Sequence, residues 1–105
     1  MDRIFRIEHV KTKKGPYRGM NGIFSFVGDH TFYNGHPEPR DDYKIQRGVA
    51  DYELCGFETL DQLLEWFSGK ELLECQKKDY WISVVEGTIT ARGLKQVLFV
   101  REKTS

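Results

Sequence analysis

The chain has 105 residues, with 16 basic and 16 acidic side chains and no net charge. That length buries one modest core and leaves no room for separate cofactor and substrate domains. A cancelled charge gives no global field to hold a nucleic-acid backbone, and no apolar run reaches the about 18 residues of a membrane span. The start MDRIFRIEH lacks a signal peptide's apolar block. Two cysteines, Cys55 and Cys75, make neither a disulfide framework nor a CxxC pair, which fits a reducing compartment and small packing roles. These features predict a soluble cytoplasmic protein of one domain, residues 1–105, with no membrane partner and nucleic acid disfavoured.

Arg3 to Val10 alternates as a strand, with Phe5, Ile7 and His9 on one side and Ile4, Arg6 and Glu8 on the other. With Phe5 and Ile7 toward a helix, Arg6 and Glu8 share the opposite sheet face, where they pair across strands or line a concave site, pairing being the preferred expectation. Residues 11–55 then read as a long decorated loop region, punctuated by Gly15-Pro16, Gly19 and Gly22. Lys11, Lys13, Lys14 and Arg18 form a local basic run, read as a solvated loop. IFSFV and HTFY flank Gly28-Asp29, which suits a hairpin over 23–33, the alternative being a loop whose aromatics Phe24, Phe26, Phe32 and Tyr33 pin it over the sheet.

HPEPRDD is the most polar and most constrained stretch, because Pro37 and Pro39 fix their own φ and push His36 and Glu38 toward extended conformations. His30, His36, Asp29, Asp41 and Asp42 show no HxxxH or HxH spacing, so no metal site is expected. Tyr43 to Leu54 carries scattered apolar residues that allow a short strand or a turn of helix.

Thr59 stands three residues before Gln62, the arrangement of a helix-start capping box. Leu60, Leu63, Leu64 and Phe67 recur at i, i+3, i+4 and i+7, which predicts a helix over about 60–68 with those four inward and Trp66 at the rim. Ser68 repeats the spacing with Glu71, predicting a second helix over about 70–77 with Leu72, Leu73 and Gln76 inward. YWISVVE and LKQVLFVR are rich in β-branched and aromatic residues, and their short connection predicts an antiparallel hairpin over about 80–101. The expected fold is therefore α+β: a small antiparallel sheet of three or more strands with one or two short helices packed on one face.

FRIEH, GPY at Gly15 to Tyr17, HPEPRDD, GFETLDQLLEWF and the terminal QVLFVR together resemble a group of small phage and prophage proteins of uncharacterised function. The likeness runs over most of the chain and implies phage origin and a role in the cytoplasm of an infected bacterium. A strand bearing Arg6 and His9, followed by an aromatic-Glu-Thr-Leu helix start, is also similar to the opening of ADP-ribosyltransferase-type folds. That likeness implies dinucleotide binding by a first-strand Arg or His, with Glu86 as the counterpart of the late-strand Glu.

No catalytic motif stands out, and seven Phe, five Tyr and two Trp exceed what one small core uses. Aromatic and Arg side chains are common interface anchors. The preferred expectation is a non-enzymatic phage protein that binds and modulates a host protein, of the host-takeover or anti-defence type, with Tyr17, Arg18 and Trp66 as candidate binding residues. The alternative is a small ADP-ribosyltransferase-like or other nucleotide-binding enzyme. It requires Arg6, His9, Tyr17, His36 and Asp42 to converge in one cleft, with Arg6 holding an anion and a histidine acting as acid or base. A second alternative, a nucleic-acid-binding accessory protein, rests on Lys11 to Arg18 with exposed aromatics. No cofactor is expected.

Overall fold

The computed structural model describes residues 1–17, 24, 26 and 30–102. Within them lie β1 (Asp2–His9), a 3-10 turn (Phe32–Asn34), β2 (Leu54–Gly56), α1 (Leu60–Trp66), α2 (Gly69–Lys77), β3 (Tyr80–Arg92) and β4 (Val97–Arg101). The four strands form one antiparallel sheet in the order β1-β3-β4-β2, with α1 against β1 and α2 against β3. The α+β class with an antiparallel sheet and two helices is thus the observed architecture. Of the hairpin expected over 23–33, the Gly28-Asp29 turn lies outside the described residues, and Phe32–Asn34 is helical.

The two outer strands of this sheet meet. Phe5 donates its N–H to Phe57 O at 2.7 Å and accepts from Phe57 N–H at 2.8 Å, so the sheet curls into a half-barrel stitched along one seam. Glycine makes the seam possible, since a Cβ at Gly56 would lie 2.4 Å from Ile4 Cγ2. Across the sheet, β3 bends to follow the curl: its register against β4 shifts between Ile89 and Ala91, leaving Thr90 as the extra residue of a bulge.

The curl separates two cores. Ile4, Val85, Val97 and Phe99, with half-buried Leu54 and Ile89, form a core built from strands alone. Ile7, Phe24, Phe26, Phe57, Leu63, Trp66, Phe67 and Cys75 form the core beneath the helices. Strand alternation in β1 feeds both, Ile4 to the first and Ile7 to the second.

Both helices start at the predicted caps. Gln62 N–H donates to Thr59 Oγ1 at 3.1 Å, while the Gln62 amide oxygen accepts from Glu58 N–H at 2.9 Å, one residue before the cap. Ser68 and Glu71 make a complete capping box. The inward faces differ from the periodic reading. Leu63, Trp66 and Phe67 are buried, whereas Leu60 is 40 % and Leu64 45 % exposed. The reason is that α1 has only seven residues and Phe67 already has extended backbone, φ −111° and ψ 122°, so the helical period does not set its direction. Burying Trp66 and Phe67 together removes more apolar area than burying two leucines. In α2 the inward residues are Leu72 and Cys75, with Leu73 and Gln76 exposed.

Candidate functional site

Arg6 and Glu8 sit on the same face of β1 as Ile4, and both are buried. Arg6 Nη1 donates to Glu8 Oε2 at 2.9 Å, and Arg101 of β4 reaches the same oxygen. The Arg6 guanidinium also stands 5.8 Å from the Phe99 ring centroid, within cation–π range. Burial pulls the Arg6 pKa below its ordinary value; Glu8 opposes that shift and Arg101 adds to it. Two arginines thus share one carboxylate, and Arg6 Nε and Glu8 Oε1 have no hydrogen-bond partner among the described residues. The Gly15 backbone crosses the guanidinium so closely that a Cβ there would lie 2.9 Å from Nη2.

His9 ends the same strand and closes a turn. Its Nδ1 accepts from Lys11 N–H at 3.1 Å and Thr12 N–H at 3.2 Å, and its ring meets Tyr80 edge-on with centroids 5.1 Å apart.

Asp42 is buried against the β3–β4 turn. Its carboxylate accepts from Leu94 N–H at 2.8 Å, Lys44 N–H at 3.2 Å and Lys95 N–H at 3.3 Å. Gln96 donates its amide to Pro37 O at 2.6 Å beside it. Farther along, Glu53 fastens the same loop to the bulge. It takes a two-pronged pair from Arg47 at 2.7 and 2.8 Å, Ala50 N–H at 3.0 Å and the Thr90 hydroxyl. These donors, Arg47 first, hold the Glu53 carboxyl down at about 2. At the Asp42 clamp, Pro37, Asp41, Asp42, Tyr43, Leu94 and Lys95 line a cavity of about 220 Å³. Tyr43 is 73 % and Leu94 53 % exposed at its rim.

A second polar cluster lies at the helix junction. Trp66 Nε1–H donates to the Tyr17 hydroxyl at 2.7 Å, which leaves that hydroxyl to donate to His30 Nδ1. His30 Nε2–H then donates to Glu71 Oε2 at 3.0 Å, the oxygen of the cap residue not used by Ser68. His36 stacks on His30 with centroids 4.0 Å apart and planes 8° from parallel, and its Nε2–H donates to Trp66 O at 2.7 Å. Tyr17 is 44 % exposed as a residue, and desolvation of its bonded hydroxyl raises the phenol above its ordinary range. A relay of hydrogen bonds through an unactivated phenol, ending on the Glu71 carboxylate, locks helix to loop.

The family model of the Bacteriophage T4 Y00F protein matches residues 1–105. The chain belongs to that family. No curated protein and no solved structure matches it. This Y00F family member is therefore a small phage protein, as the sequence resemblance implied. Among the described residues no helix is long and apolar enough to cross a membrane, and no group of three His, Cys, Asp or Glu is placed to hold a metal.

In this Y00F family member the structure separates most of the residues singled out in the sequence. Tyr17 and His36 reach one cluster, joined through Trp66. Arg6 pairs with Glu8, His9 closes a turn and Asp42 clamps a hairpin, each elsewhere in the fold. Trp66 is a buried core residue, and Arg18 lies outside the described residues. Burial raises both thiols to about 11, so Cys55 and Cys75 are poor nucleophiles. Glu53 and the Tyr43–Leu94 cavity escaped sequence reading. Their one local signal is Tyr43 directly after the Asp41-Asp42 pair, a polar turn carrying an aromatic.

Proposed function

We propose that this phage protein binds and modulates a protein of the bacterial host, acting in the host cytoplasm without chemistry of its own, and that it does so through the clamped loop around the Tyr43–Leu94 cavity. One observation carries the reading: an apolar cavity rimmed by an exposed tyrosine and an exposed leucine sits directly above the buried carboxylate of Asp42. Tyrosine supplies a large, stiff, amphipathic surface at low entropic cost. A loop without regular structure ordinarily loses affinity to its own ordering; here the bonds of Asp42 and Glu53 order it before any partner arrives. Of the residues that an enzyme reading needs in one cleft, Tyr17 and His36 share a cluster while Arg6, His9 and Asp42 make their contacts elsewhere, which weighs against that alternative.

The test is capture from infected-cell lysate by the tagged wild type and by a Tyr43→Ala/Leu94→Ala variant, with folding of both checked by circular dichroism. One stoichiometric host protein held by the wild type and released by the folded variant is the expected result. Equal capture by the variant would move the interface elsewhere, and no partner in any lysate fraction would remove the reading.

A further inference from the structure

The fold brings together two lysine runs that the sequence keeps far apart. His9 pairs with Tyr80 at the end of the β1–β3 ladder, and Val10 donates its N–H to Asp79 O at 2.9 Å. The turn carrying Lys11, Lys13 and Lys14 therefore stands beside the α2–β3 turn carrying Lys77 and Lys78. All five lysines are exposed, with Lys13 Nζ donating to Val10 O at 3.1 Å and Lys78 Nζ 5.2 Å from the Phe24 ring centroid, and residues 10–14 and 77–81 contain one carboxylate, Asp79. In a chain whose charges cancel overall, this is a segregated positive edge.

An aromatic stands in that edge. Trp81 is 41 % exposed, and with Lys13, Val10, Glu8 and Ser83 it lines a cavity of about 170 Å³ that opens at the end of the ladder. Glu8, which lines this cavity, is shared by the side chains of Arg6 and Arg101, so the buried polar group behind the cavity is itself net positive. An open indole with Lys13 in the same cavity and further lysines on the adjoining turns suits a flexible polyanion that carries planar rings between its charges.

We propose that this edge binds single-stranded nucleic acid, with an unpaired base stacked on Trp81 and the neighbouring phosphates held by the lysines of the two turns. A duplex hides its base faces and does not offer that stack. The site is independent of the Tyr43–Leu94 surface.

The experiment is a titration of a short end-labelled single strand at low salt, followed by anisotropy and by indole fluorescence. Wild type binds with quenching, and Trp81→Ala weakens binding about 10-fold, the loss of one stacked base. Trp81→Phe, which keeps an apolar ring, falls between the two and guards against a folding artefact. Lys11→Glu/Lys77→Glu lowers the salt slope by roughly 0.7 for each phosphate no longer neutralised. No anisotropy change at low salt overturns the proposal. So does unchanged affinity in Trp81→Ala, or equal binding of duplex DNA or inorganic polyphosphate, which would make the edge a charge surface alone.

Discussion

Asp42→Ala is the sharpest test of how the long loop is held. The carboxylate is buried and its oxygens accept three backbone N–H groups, those of Lys44, Leu94 and Lys95. Truncation leaves those donors without an acceptor, at about 1–3 kcal/mol for each that stays buried. Lys44, Leu94 and Lys95 are all exposed residues whose amides recover water in part, so the expected loss is about 4 kcal/mol, a large share of the 5–15 kcal/mol typical of a domain. With a urea m-value of about 2 kcal/mol/M, the midpoint falls by about 2 M. Asp42→Asn separates geometry from charge. It keeps the oxygen that serves Lys44 and Leu94 and gives up only the longest bond, to Lys95, so about 1–2 kcal/mol is expected. Urea unfolding of the three proteins, with amide exchange at Leu94 and Lys95, makes the measurement. Losses for Ala and Asn both under about 0.5 kcal/mol, or unchanged protection of the Leu94 amide in Asp42→Ala, would refute the clamp.

Glu53 gives a pH signature. Its folded pKa, about 2, lies below the ordinary 4.5, so its contribution is complete above the unfolded value and fades as pH falls from about 5 toward 2. Glu53→Gln should flatten that acid limb of melting temperature against pH; an unchanged limb would mean that other carboxylates carry it. At the seam, Gly56→Ala puts a Cβ 2.4 Å from Ile4 Cγ2 and is expected to cost about 1–3 kcal/mol by chemical denaturation. Gly69→Ala, at the start of α2 with nothing within 4 Å, should instead raise stability by about 0.4–1 kcal/mol. Both thiols, raised to about 11, should resist alkylation at mildly alkaline pH until the protein is unfolded.

What the sequence revealed of this fold is what short-range physics decides. A hydroxyl three residues before a returning polar side chain announces a helix start, and both helices begin there. Alternation along β1 separates Ile4, Arg6 and Glu8 from Phe5 and Ile7 without any knowledge of what covers either face. The inward stripe of α1 is misread because a seven-residue helix repeats its period only about twice, and the backbone of Phe67 leaves it. β2 is hard to read for a different reason. Three residues carry too little pattern, and Leu54–Gly56 is a strand because β4 pairs with it and the seam at Phe5–Phe57 fixes its end.

The polar sites are illegible in the sequence because their partners lie far along the chain. Asp42 meets Leu94 across 52 positions, Tyr17 meets Trp66 across 49, and His30 meets Glu71 across 41. An acidic or aromatic residue type states what it can bond, and only tertiary placement states to what. The same logic bears on charge. A net charge of zero excludes a global field, and it says nothing about how charges are sorted once the chain is folded. Lys11 to Lys14 alone is an ordinary solvated turn. Beside Lys77 and Lys78, and with the exposed Trp81 next along β3, it becomes an edge whose chemistry differs from the rest of the surface, and that difference arises from one strand pairing, His9 with Tyr80.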